Sequence, residues 1–304
     1  MKIFLNVPNL ILITAIACGN LLSQTSELQA KQTPTNPSFS QLLLPQLFRD
    51  ALVPRETEKP QETKTPANSQ KPTTNKVTNP KKINFIRPKL PPGNAPGGRR
   101  TGGGRRDNCP DVNPKLTALV PVSEETNNIT NVWGLTSVER PTFWFYLPYT
   151  KSSQYPTEFI LQDSEGETIH QKNIPLPEQP GIINISLPNT VPALTVGKEY
   201  RWFLKVYCHE EKESPPVYVE GVVSRVNLNP RVNQKISTAT PYQQAVIYAE
   251  NGIWHQALTI LIELKQNSPK DEIVHDNLAS LLSEIGLSEM IDKPIVIVGK
   301  PGQS

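Results

Sequence analysis

Four arginines next to a glycine run are the residues of this sequence that first suggest chemistry. They lie in "GGRRTGGGRRDNCP", residues 97–110, which lacks the GxxxxGK[ST] pattern of a phosphate-binding loop. Guanidinium groups bind phosphate, sulfate and carboxylate. The alternative is structural, with the glycines allowing a tight chain path and the arginines pairing with internal carboxylates. The candidate anion-binding residues are Arg99, Arg100, Arg105 and Arg106.

A second candidate is the aromatic run "PTFWFYLPY", residues 141–149. If it forms a strand, Trp144 and Tyr146 point to one face, because successive side chains alternate between faces. Two interpretations are open. Both faces could belong to a core, or Trp144 and Tyr146 could form an exposed aromatic platform for sugar rings. Exposed aromatics near arginines would suit an anionic polysaccharide.

The first 30 residues are typical of an export signal. Lys2 precedes an apolar stretch at residues 10–17, which is too short to span a bilayer, and cleavage would follow Ala30. We therefore expect an exported protein, periplasmic or extracellular. In the alternative, Cys18 is acylated and the chain is a lipoprotein, the one case in which it would bind a membrane.

Export leaves Cys109 and Cys208 in the mature chain. Two cysteines in an oxidising compartment predict one disulfide. Chain-entropy models predict that a cross-link that closes a loop of about 100 residues stabilises the folded state by roughly 4 to 5 kcal/mol. Two unrelated buried thiols are the alternative.

No catalytic or metal-binding pattern is present in the sequence. The four histidines form no HExxH motif, no CxxC pair occurs, and no GxSxG motif marks a serine nucleophile. We therefore expect no enzyme, no metal and no cofactor. The formal charge of +3 is small for a dedicated nucleic-acid-binding protein, so we expect no nucleic-acid partner.

Composition divides the chain into regions. Residues 31–96 are rich in Pro, Thr and Lys and predict a disordered linker, because such a segment lacks the apolar surface to offset its ordering entropy. Residues 97–230 predict a β domain, residues 231–290 a helical cap, and residues 291–304 a tail.

The β domain is predicted from short β-branched and aromatic runs separated by turn signals. Gly166 marks a hairpin turn, and "LTVGKEYRW" places Tyr200 where immunoglobulin-like and fibronectin-III-like sandwiches have a corner tyrosine, whose hydroxyl returns to upstream backbone. We therefore expect a mainly β fold with such a sandwich. The predicted strands are residues 116–121, 142–148, 157–163, 168–173, 181–188, 200–208 and 217–226.

The cap is predicted to contain three helices. Thr240 and Pro241 are typical of a helix start, a second helix begins at Ile253, and Ser268-Pro269 opens a third. "NGIWHQALTILIELKQNSP" resembles one tetratricopeptide repeat, so the cap is expected to be tetratricopeptide-like.

Six motifs in order resemble a cyanobacterial family, domain-of-unknown-function family 928. They are "GGRRTGGGRRDNCP", "LTALVP", "PTFWFYLPY", "EFILQDSEG", "VGKEYRWFLKVYC" and "NGIWHQALTILIEL". The resemblance covers about residues 97–290 and implies an exported protein without implying an activity.

Together these patterns predict an exported, non-enzymatic β-sandwich module that interacts with an exported protein or with the cell envelope. The alternative is a carbohydrate- or anion-binding module that uses Trp144, Tyr146 and the arginine pairs on an envelope polysaccharide.

Overall fold

The computed structural model describes residues 82–90, 96–103, 109–124, 130–209, 211–212 and 214–296. The strands are β1 (Thr117–Ala118), β2 (Val122–Glu124), β3 (Thr130–Thr136), β4 (Thr142–Leu147), β5 (Thr157–Gln162), β6 (Thr168–Asn173), β7 (Gly181–Ser186), β8 (Glu199–Val206) and β9 (Val217–Arg225). The helices are α1 (Pro230–Thr238), α2 (Pro241–Glu250), α3 (Trp254–Asn267) and α4 (Glu272–Glu284), with short 3-10 helices at Lys151–Ser153 and Ser288–Met290. Within these residues, no helix is long and apolar enough to cross a membrane.

The fold is mainly β, with two sheets followed by four helices within the described residues. One sheet has the order β1-β4-β7, and the other has the order β2-β3-β9-β8-β5-β6. All pairs are antiparallel except β3 with β9, which run parallel. Six of the seven predicted strands are confirmed, and the seventh, residues 116–121, contains only the two-residue β1. The turn at Gly166, whose φ is +86°, is also confirmed.

The main core lies between the two sheets. In β8 the buried side chains alternate with partly exposed ones, as its period-two pattern predicts. Trp202 is fully buried there, and the Phe143 ring lies 5.1 Å from the Phe159 ring. The partly exposed side chains of β8, which include Arg201, Phe203 and Lys205, lie on the face of the sheet that points away from this core.

A second core joins the three-stranded sheet to the helices. It buries Trp144, Tyr146 and Ile182 against apolar side chains of α2, α3 and α4, including Trp254 and Leu281. The helical region therefore rests on the outer side of β4 and β7.

The helical prediction is right in part. The capping box of Thr240 and Gln243 is confirmed at the start of α2. The expected count of three helices is wrong, because α1 precedes Thr240 and is capped by the Asn229 side chain. The last helix begins at Glu272 rather than near Ser268, because the Asp271 side chain accepts the backbone N–H groups of the first turn.

Residues 82–90 correct the predicted boundary of the linker at residue 96. We call this segment the strap. Its Ile83 and Phe85 side chains are buried in the helical core, and the Phe85 ring meets the Trp254 ring edge-on at 5.0 Å. The Ile83 N–H donates to the Asn277 side chain at 2.7 Å, and the Phe85 N–H donates to the Glu284 carboxylate at 2.8 Å. The strap is thus part of the folded domain.

Candidate functional site

Cys109 and Cys208 form the predicted disulfide, which is confirmed. Their Cα atoms lie 5.2 Å apart and the cross-link spans 99 residues of sequence. Cys208 follows the end of β8, so the bond ties the chain that precedes β1 to the turn that follows β8.

The predicted arginine cluster is divided by the fold. Arg100 is half-buried, and its guanidinium donates to the Ile285 carbonyl at the C-terminal end of α4 at 2.5 Å. Burial lowers the pKa of Arg100, the charge of Arg87 lowers it further, and Glu289 opposes both. Arg100 is therefore held inside the fold, through a backbone carbonyl rather than through the internal carboxylate that the structural interpretation predicted. Arg105 and Arg106 lie outside the described residues.

The predicted aromatic platform is wrong. Trp144 and Tyr146 are 4% and 5% exposed, because the helices cover the outer side of β4. The indole N–H of Trp144 donates to the Thr259 hydroxyl at 2.9 Å on α3. Neither ring can stack on an external ligand.

A different surface combines aromatic rings with cations. It is the outer face of the six-stranded sheet around β8 and β9, and we call it the aromatic–cationic face. The Arg99 guanidinium lies 4.8 Å from the centre of the Tyr218 ring. Lys205 lies 5.2 Å from the Phe203 ring, and Lys212 lies 4.8 Å from the Tyr207 ring.

Strand register explains why these side chains meet. Lys205 is directly opposite Tyr218, and Phe203 is directly opposite Glu220. The backbone of Arg99 forms an antiparallel bridge with Glu220, which places the Arg99 side chain on the same face. All three rings are half-buried, so part of each ring stays accessible to solvent.

Two carboxylates on this face already have partners. Glu220 lies 3.8 Å from the Arg201 guanidinium, which also donates to the Pro96 carbonyl at 2.7 Å. Glu158 is buried and accepts hydrogen bonds from Tyr207 at 2.5 Å and from Lys212 at 3.2 Å. Around the three rings the cations outnumber these two carboxylates, and they are Arg99, Arg201, Lys205 and Lys212.

The buried Glu158 carboxylate orients its neighbours. Burial alone would raise the pKa of Glu158, but hydrogen bonds from Tyr207, Gln171 and Lys212, with the Lys212 charge, lower it below its usual value. Burial, together with the hydrogen bond and charge of Glu158, raises the pKa of Tyr207 to about 12. Glu158 is therefore ionised and Tyr207 protonated at neutral pH, so Tyr207 and Lys212 are held in place as donors.

Comparison with protein families assigns the chain. The family model described as Domain of Unknown Function (DUF928) matches residues 100–295. The chain belongs to the DUF928 family. Among curated proteins, none matches it.

The DUF928 match contains most of the aromatic–cationic face. It includes β8, β9 and Lys212, while Arg99 and the strap precede it. In the described part of this DUF928 chain, no cluster of three or more His, Cys, Asp or Glu side chains could hold a metal ion.

The sequence contained one signal for this face. In "YRWFLKVYC" the residues that alternate with the core positions are Arg201, Phe203, Lys205 and Tyr207, a mixed aromatic and basic set. Arg99 and Tyr218 join that set only through pairing with β9, which no local pattern indicates.

Proposed function

We propose that this chain is an exported, non-enzymatic binding module whose ligand is an anionic polysaccharide of the cell envelope. The observation that carries the proposal is the presence of three aromatic–cation pairs on one face of one sheet. The proposal takes up the ligand class of the alternative interpretation, a carbohydrate or anion, and replaces the buried Trp144 and Tyr146 with Phe203, Tyr207 and Tyr218.

The chemistry of the face fits such a ligand. An aromatic ring offers a flat apolar surface to the C–H side of a sugar, and neighbouring cations pair with carboxylate or sulfate groups. Lys205 lies on β8, Lys212 lies in the turn after β8, and Arg99 lies in the segment that bridges to Glu220 of β9. Spacing of this kind suits a polymer with repeated charges better than a single small anion.

Export is part of the proposal. The Cys109–Cys208 disulfide supports it, since disulfides persist mainly in oxidising compartments. The signal at residues 1–30 and the alternative lipid anchor at Cys18 lie outside the described residues. The intact mass of the protein purified from its native host tests both. Cleavage near Ala30 supports a soluble exported form, acylated Cys18 supports the lipoprotein, and an uncleaved intracellular chain overturns export.

We also propose that the sheets form an immunoglobulin- or fibronectin-III-like sandwich. The Tyr200 hydroxyl accepts the backbone N–H of Thr195 at 2.9 Å, which is the contact expected of a corner tyrosine. β3 and β9 pair in parallel in the interior of the larger sheet, whose edge strands are β2 and β6. In Tyr200→Phe this hydrogen bond is lost, and we expect about 1 kcal/mol less stability. An unchanged urea midpoint would contradict the corner role.

The helices are proposed to contain one tetratricopeptide-like pair, α2 and α3. They are joined by a turn in which Gly252 has a φ of +72°, and Ala249, Trp254 and Ala257 belong to the buried cluster that both helices share. The pair rests on the three-stranded sheet, which supplies the burial that a single repeat lacks.

Affinity electrophoresis tests the ligand. The full mature chain is run through gels containing polygalacturonate, an acidic polymer, or dextran, a neutral one. We expect retardation by polygalacturonate that weakens as salt is raised, because salt screens exposed charges. We expect Phe203→Ala with Lys205→Gln to weaken binding about tenfold, corresponding to about 1.4 kcal/mol.

The matched control is Lys235→Gln, which removes an exposed lysine from α1, a helix that packs on α2. It should bind like the parent protein. Equal retardation of all variants, equal retention by dextran, or no retention by either polymer would overturn the proposal. Recovery of an envelope protein whose binding is insensitive to polygalacturonate would favour a protein partner instead.

A further inference from the structure

We propose that a groove at the edge of the six-stranded sheet binds the terminal acidic sugar of that polysaccharide. The inference rests on the proposed function, because it assigns one end of the same ligand. The groove has a volume of about 670 Å³, within the usual range for small-ligand sites. We call it the edge groove, and its principal lining residues are Lys151, Gln154, Tyr155, Asn173, Leu176 and Lys212.

Two segments and a turn build the edge groove. The 3-10 helix Lys151–Ser153 and the two residues after it form one wall, and the end of β6 forms another. Lys212 closes the side toward the aromatic–cationic face, since the same ammonium lies over the Tyr207 ring. A polymer lying on that face would reach the edge groove without leaving contact with Lys212.

The lining offers the three kinds of contact that a sugar acid needs. The Tyr155 ring gives an apolar surface and meets the Tyr149 ring edge-on at 5.6 Å, which fixes its orientation. Gln154 and Asn173 supply amides for hydroxyl groups. Lys151 and Lys212 supply cations for the carboxylate.

The backbone holds two of these groups in unusual conformations. Within the described residues, Gln154 and Lys212 are the only non-glycine residues with positive φ, at +53° and +52°. Left-handed conformations cost free energy for residues with a side chain, and they concentrate at ligand-binding sites. Both lie in the edge groove, and each N–H is satisfied locally, by the Lys151 and His209 carbonyls at 3.2 Å.

The cations differ in how available they are. Lys212 is oriented by the buried Glu158 carboxylate at 3.2 Å. Lys151 pairs with Glu178 at 3.2 Å, but both side chains are largely exposed. Exposed pairs of this kind contribute at most about 1 kcal/mol, so a ligand carboxylate can replace Glu178.

The test separates the edge groove from the face by ligand length. Trigalacturonate is titrated calorimetrically into the full mature chain and into Gln154→Gly with Lys151→Gln. Glycine adopts the left-handed conformation without strain, so this variant should fold. We expect this variant to bind trigalacturonate at least tenfold more weakly than the parent protein, and Lys235→Gln to bind it as the parent does. Long polygalacturonate should still retard this variant more than it retards Phe203→Ala with Lys205→Gln.

Each outcome assigns a cause. Trigalacturonate binding that is unaffected by the double substitution, or polymer binding without any trigalacturonate binding, overturns the edge groove and leaves the face intact. Binding of both ligands that depends on Gln154 and Lys151 but not on Phe203 and Lys205 overturns the face and keeps the edge groove. Binding of neither ligand overturns both.

Discussion

Acid should destabilise this protein through His255, well above the pH at which most carboxylates titrate. The His255 side chain is 2% exposed, its Nδ1 lies 3.2 Å from the Thr142 carbonyl oxygen, and its Nε2 has no hydrogen-bond partner in the described part of the chain. The ring also meets the Phe143 ring edge-on at 5.3 Å. A charged imidazolium would be poorly solvated there. Burial therefore lowers the pKa of His255 to about 4, although the Thr142 hydrogen bond opposes the shift.

The sign and size of the effect follow from proton linkage. An unfolded histidine has a pKa of about 6.5, so between about pH 6.5 and 4 the unfolded chain binds a proton that the folded chain does not. The free energy of unfolding must then fall as pH falls through that window. At about 1.4 kcal/mol per pH unit, the loss is about 3 kcal/mol in total and about 2 kcal/mol between pH 7 and 4.5.

Urea unfolding at pH 7, 5.5 and 4.5 measures this loss in the parent protein and in His255→Gln. The substitution removes the titrating group, so the stability gap between the two proteins should change by about 2 kcal/mol in favour of the variant as pH falls. Other groups with shifted pKa values, His170 and Glu263, are present in both proteins and cancel in the difference. A gap that stays constant from pH 7 to 4.5 would refute the argument from burial.

Three further predictions concern the strap, the disulfide and the anchor of the binding face. Phe85→Ala should lower the free energy of unfolding, measured by urea titration, by about 3 kcal/mol, because a buried aromatic side chain is removed. A loss below about 0.5 kcal/mol would show that residues 82–90 belong to the linker and not to the folded domain. Replacing Cys109 and Cys208 together by Ser should cost about 4 to 5 kcal/mol in the same assay, and an unchanged midpoint would show that the cross-link constrains the unfolded chain little. Glu158→Gln should lower the pKa of Tyr207 from about 12 while burial keeps it above its usual value, as followed by ultraviolet absorbance; a pKa that stays near 12 would leave burial as the sole cause.

Features set by neighbouring residues were predictable from the sequence. The period-two alternation of β8 was visible because side-chain direction in a strand depends only on the parity of the position. The turn at Gly166 and the capping box at Thr240 are also local, since each is built from residues within four positions of one another. The β2 and β3 strands were missed, because β3 contains Asn131 and Gly134 and is stabilised by pairing with the distant β9.

Features set by distant neighbours were decided by the tertiary structure. Alternation assigned Trp144 and Tyr146 to one side of β4, but only the packing of the helices buries that side. The composition of residues 31–96 predicted a linker because polar residues and prolines dominate its average, and that average hides Ile83 and Phe85.

The sequence by itself predicted seven of the nine described strands, the pairing of Cys109 with Cys208 and the family to which the chain belongs. The tertiary structure decided which aromatic rings face solvent and which cations stand beside them. The reason is that burial depends on what lies opposite a side chain. Arg99 meets Tyr218 across more than a hundred residues of chain, through hydrogen bonds between backbones that no local periodicity encodes.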